Sequence, residues 1–117
     1  MATELEGNET LQRFIALLCD LNNQCATFLK TGNVEVLVNM NDTVEEMYKI
    51  QSVGTEEAYT AIEEDMQIIY KNFNAVVTML HSHEGEEFDA TTSGAVHVFV
   101  RNIFEANVRI VIAYGLA

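Results

Sequence analysis

TEEAYTAIEEDMQIIYKNFNAVVTMLH, residues 55–81, is the stretch that decides the fold. Tyr59, Ile62, Met66, Ile69, Phe73, Val76 and Leu80 recur at alternating spacings of three and four. That pattern places one apolar seam along one face of a helix. Thr55 is a fitting N-cap, and Glu56 and Glu57 suit the positive end of the helix dipole. No Gly or Pro interrupts the interior, and His81 to Gly85 supply a polar stop. The spacing predicts a helix over 55–81.

The same reading extends in both directions. Upstream, Leu11, Phe14, Leu18, Leu21, Cys25 and Phe28 form a second 3-4-3 seam, widened by Ile15, Leu17 and Leu29. It predicts a helix over 9–30, capped by Asn8 or Thr10, stopped at Gly32 and preceded by a frayed 1–7. Leu37, Met40, Val44 and Met47 predict a helix over 33–50. Val34, Val36 and Val38 alternate as a strand would, and Thr43 with Glu46 resembles a capping box that would restart the element near Asn41. Downstream, Phe99, Ile103, Ala106, Ile110 and Ala113 predict a helix over 92–115, capped by Thr92 or Ser93. Its many β-branched residues leave a hairpin turning at 105–107 as the alternative. Such a helix is apolar nearly all round, so it sits centrally or packs on another chain.

Four helical segments with short connections imply an all-α antiparallel four-helix bundle in a single domain of 117 residues. The apolar C-terminal helix makes a homodimer the expected assembly, with Phe99, Ile103, Ile110 and Tyr114 as its interface.

Charge narrows the function classes. Eighteen acidic residues against six basic ones give a net charge of −12. That argues against direct contact with nucleic acid or anionic membrane and favours a basic partner. All the acids but Glu105 lie in residues 1–90. Arg101, Asn102, Glu105, Asn107 and Arg109 break the most apolar stretch and exclude an ordinary membrane span. The N-terminus has neither a basic region nor an apolar core and does not read as a signal peptide. Cys19 and Cys25, six apart on different sides of a helix, read as free thiols of a reducing cytoplasm.

Chemical motifs are scarce. A di-iron bundle needs Glu-x-x-His, and no Glu here precedes a His by three. His81, His83 and Glu84 are the metal-ligand candidates, in a segment that nothing fixes geometrically. His97, between Val96 and Val98, reads as a satisfied core or interface histidine. There is no nucleophile elbow, phosphate loop or zinc-finger spacing, so no catalytic residue, cofactor or enzymatic activity is expected. What stands out is acidity. Glu45 and Glu46 on one helix, with Glu56, Glu57, Glu63, Glu64 and Asp65 on the next, would merge into one negative field if those helices are neighbours. Tyr70 would anchor a partner beside them.

These features predict a small acidic binding protein. It would occlude or scaffold a basic protein, such as one that handles nucleic acid. Inhibitors of defence machinery carried by phages or mobile elements, immunity proteins and antitoxins share this size and charge. The alternatives are an assembly subunit that associates through its C-terminal helix, and a metal-binding bundle.

Overall fold

Each apolar seam becomes one buried helix face. The computed structural model describes residues 2–53, 62–82 and 88–113, with side chains described from Glu9 and from Leu11 through Ile50 in the first of these segments. Four helices follow in order: α1 (Ala2–Thr31), α2 (Val34–Val53), α3 (Glu63–Ser82) and α4 (Ala90–Ala113). No strand occurs among the described residues. The arrangement is compatible with a helical bundle.

α1 buries Phe14, Leu17, Leu18, Leu21, Cys25 and Phe28. The helix begins at Ala2, ahead of the expected Asn8 or Thr10 cap. It stops at Gly32, whose φ of 69° lies in the left-handed region that favours glycine. The Gly32 amide donates back to the Phe28 carbonyl at 2.7 Å, closing the last turn.

α2 is one continuous helix, and neither the strand pattern at Val34–Val38 nor the restart near Asn41 is realised. Its N-cap is Asn33, whose Oδ1 accepts from the Glu35 amide at 3.0 Å. Thr43 is buried inside the helix rather than capping it. Leu37, Met40, Val44 and Met47 face the core as their spacing requires.

α3 buries Met66, Ile69, Phe73 and Val76, with Ile62 just ahead of it. The expected start at Thr55, with Glu56, Glu57 and Tyr59, lies outside the described residues.

α4 is also a single helix, so the hairpin alternative at 105–107 is not realised. Its cap is Asp89, whose carboxylate accepts from the Thr92 amide at 2.7 Å, in place of Thr92 or Ser93. The buried face is Val96, Val100, Ile103, Ala106, Asn107 and Ile110. Phe99 sits at its margin and Ala113 is exposed, so the seam is rotated from the expected one. Ile103, Ala106 and Ile110 remain buried as expected, and Asn107 joins them. This wholly buried residue donates from Nδ2 to the Leu18 carbonyl of α1 at 2.9 Å. A polar residue holds a place that apolar spacing assigns to its neighbours.

α3 and α4 share the largest interface, and α1 packs on both α2 and α4. α2 touches α3 only lightly. Ion pairs between described residues tie the outer surfaces, among them Arg13 Nη2 to Glu46 Oε2 at 2.6 Å and Arg109 Nε to Asp65 Oδ1 at 2.7 Å. Between α3 and α4, Asn102 Nδ2 donates to Asn72 Oδ1 at 3.0 Å. No helix among the described residues is long and apolar enough to cross a membrane.

Candidate interaction groove

Because α2 and α3 barely meet, an open groove runs between them. Two adjoining hollows of about 480 and 380 Å³ share Asn41 and Val77. One extends over Val44, Glu45, Tyr48, Lys49, Tyr70, Phe73 and Asn74. The other reaches Val38, Asp42, Leu80 and His81. Helical spacing accounts for the walls. Val38, Asn41, Glu45 and Tyr48 follow one another by three and four on α2, as do Tyr70, Asn74, Val77 and His81 on α3.

The floor is apolar and the rim carries charge. Val38 and Tyr48 are each 58% exposed, so both leave apolar surface open on the α2 wall. Tyr48 meets Tyr70 edge to face, with ring centroids 5.2 Å apart. Burial, and secondarily Tyr48, push the Tyr70 hydroxyl well above the ordinary tyrosine range. Tyr70 is therefore a neutral, half-buried wall of the groove and not the exposed side chain that its off-seam position suggests.

The expected acidic face is only partly assembled. Glu45 lines the groove with Asp42. Glu46 is engaged by Arg13 and Asp65 by Arg109, so both are already neutralised in part. Glu63 and Glu64 are exposed in the first turn of α3, where they favour the helix dipole. They stand about two turns, ~10 Å, before Tyr70. Glu56 and Glu57 lie outside the described residues.

Of the expected outward interface, Ile103 and Ile110 are fully buried in the chain's own core and cannot face another molecule. Phe99 is half-buried against that core, and Tyr114 lies outside the described residues. Ile103 and Ile110 both belong to the apolar seam that α4 turns toward its own bundle.

Other reactive groups are accounted for structurally. His97 Nδ1 donates to the Ser93 carbonyl at 2.8 Å, and its ring tilts against Phe28 at 4.8 Å. Cys25 is buried and its thiol is pushed up to about 12 by desolvation, whereas Cys19 is exposed. Among the described residues no group of three His, Cys, Asp or Glu is placed to hold a metal ion. His81 is exposed at the groove's end, and His83 and Glu84 lie outside the described residues.

No family model matches the chain, and comparisons with curated proteins and with solved structures return no match. The groove was not foreseeable from periodicity. Its sequence signal is Val38 and Tyr48, apolar residues of α2 that lie off its core seam.

Proposed function

We propose that the chain is a non-enzymatic cytoplasmic binding protein whose α2–α3 groove receives an amphipathic helix from a basic protein partner. The observation that carries this reading is the groove itself: a largely apolar trough left open by two helices, with Asp42 and Glu45 beside a single Lys49 on its rim. A helix laid in such a trough buries apolar anchors at three- and four-residue spacing. Its Lys or Arg residues would meet the rim acids. The net charge of −12 would steer a basic partner toward the chain and keep phosphate polymers away.

The bundle is antiparallel in this reading. Support comes from Asp65 with Arg109 and Asn72 with Asn102 between α3 and α4, and from Leu18 with Asn107 and Phe28 with His97 between α1 and α4: in each set the higher number on one helix goes with the lower on the other. Stoichiometric occlusion of a nucleic-acid-binding protein is one role that this chemistry suits, and inhibitors, immunity proteins and antitoxins work in that way.

The test uses designed helical peptides with one shared apolar seam and either basic or acidic flanks. Fluorescence anisotropy is expected to show the basic peptide binding and weakening as salt rises. Glu45→Lys and Val77→Glu should each abolish that binding. Equal affinity for the acidic peptide, or binding that survives both substitutions, overturns the reading. A pull-down with wild type and Glu45→Lys in parallel would then identify the natural partner as the protein lost from the variant.

A further inference from the structure

The five large apolar side chains left exposed among the described residues fall on two helices: Val34, Val38 and Tyr48 on α2, and Val98 and Ile112 on α4. The α2 group belongs to the groove side. The α4 pair lies on the opposite face of that helix from its buried residues. Taken in order, this outward stripe is Gly94, Val98, Arg101, Glu105, Val108 and Ile112. Val108 is half-buried and the other five are exposed, Val98 at 54% and Ile112 at 59%.

The stripe reads the same from both ends. Its spacings are 4, 3, 4, 3 and 4. A second α4 laid against it in the opposite direction, about a two-fold axis midway between Arg101 and Glu105, sets Val98 against Val108. It also sets Gly94 against Ile112 and Arg101 against Glu105. Small meets large, apolar meets apolar and positive meets negative, each twice by symmetry. The parallel alternative would set Arg101 on Arg101 and Glu105 on Glu105. Charge therefore selects one orientation.

Two further observations agree. Arg101 and Glu105 join no ion pair among the described residues, while Arg13 and Arg109 each do. Apart from the adjacent residues and the backbone of its own helix, no described atom lies within 4 Å of where a Gly94 Cβ would stand, so a large side chain from another molecule has room there. Glycine inside a helix lowers its stability, and here it opens the end of the stripe.

We infer that this face of α4 binds a second copy of the chain, forming a two-fold antiparallel helix pair centred between Arg101 and Glu105. The inference is independent of the groove, which lies between α2 and α3. It replaces Ile103 and Ile110, which are buried, by Val98, Val108 and Ile112 as the apolar contacts.

Sedimentation equilibrium over a wide concentration range tests it. Wild type should show a monomer–dimer equilibrium. Arg101→Glu alone and Glu105→Arg alone each put like charges at both symmetric positions, and should weaken the dimer about tenfold or more. The double variant Arg101→Glu/Glu105→Arg restores opposite charges and should return affinity close to wild type. Both substituted positions are exposed, so folding is retained and is checked by circular dichroism. A chain that stays monomeric, or a double variant no tighter than the singles, overturns the inference. A Glu45→Lys variant should dimerise as wild type does, which separates this outcome from failure of the groove.

Discussion

Cys25 shows how burial turns a reactive group into a structural one. Its thiol fills space in the core, and desolvation moves its titration from the ordinary range, near 9, to about 12. A thiol-specific reagent at neutral pH should therefore modify Cys19 promptly and Cys25 only after denaturant is added. Equal rates for both would contradict the buried position. The same shift sets a pH dependence. Between pH 9 and 12 the unfolded chain releases the Cys25 proton while the folded chain retains it. Stability is then fully present below pH 9 and falls as pH rises, by up to about 1.4 kcal/mol per unit. Tyr70, also raised by burial, adds a loss of the same sign above its unfolded range. Urea midpoints measured from pH 8 to pH 11 should decline, and Cys25→Ala should flatten that decline while lowering the midpoint at pH 8. Asn107 is the other informative residue. Its Nδ2 is bonded to α1, but its Oδ1 is buried with no hydrogen-bond partner among the described residues. Leucine has similar bulk and leaves nothing unsatisfied. Asn107→Leu is expected to raise stability by about 1 kcal/mol in urea unfolding, and a clear loss would show that the amide bond to Leu18 outweighs its orphaned oxygen. Apolar spacing could not reveal this residue, because it discards every Asn.

At the scale of the element, the seams and the Gly32 stop were legible, and the helix starts were not. Phe14, Leu18, Leu21, Cys25 and Phe28 are buried as their spacing demands, and so are Leu37, Met40, Val44 and Met47. β-branched residues in α2 and α4 did not break either helix, since burial of the opposite face outweighs a propensity cost of a few tenths of a kcal/mol per residue. Caps were harder to read because the candidates cluster. Asp89, Thr91, Thr92 and Ser93 all qualify by type, and only backbone geometry selects Asp89. Asn33→Ala and Asp89→Ala each remove a side-chain acceptor from a helix start. Each should cost about 1 kcal/mol in urea unfolding, and Thr43→Ala should show no capping loss. The groove candidates divide for a similar reason. Glu45 and Glu46 are adjacent in sequence, yet a helix turns about 100° per residue. That turn sends Glu45 to the groove and Glu46 toward Arg13.

For the molecule as a whole, four helices in a bundle followed from the number of seams and the short connections. Which edges of the bundle close did not. A seam states that a face is buried and does not state by which helix. α1 and α4 each contact two neighbours, α3 leans mainly on α4, and α2 leans mainly on α1. Salt should therefore act on the two proposed surfaces differently. The groove carries Asp42 and Glu45 against a partner's bases, whereas the α4 stripe pairs Val98 with Val108 as well as Arg101 with Glu105. Raising salt from low to physiological strength should weaken peptide binding markedly and dimerisation less, because screening acts on charge and not on apolar burial. Isothermal titration at several salt concentrations compares them.

The open edge beside α2 also sets the order in which the chain breathes. A helix held on one flank can peel away by giving up a single interface, while α1 and α4 can move only if two interfaces yield. Backbone amides of α2 should trade hydrogen for deuterium ahead of those of α1 and α4, well before global unfolding. A helix seated in the groove would give α2 its second flank and slow that exchange, so occupancy would be recorded in amides that never touch the visitor.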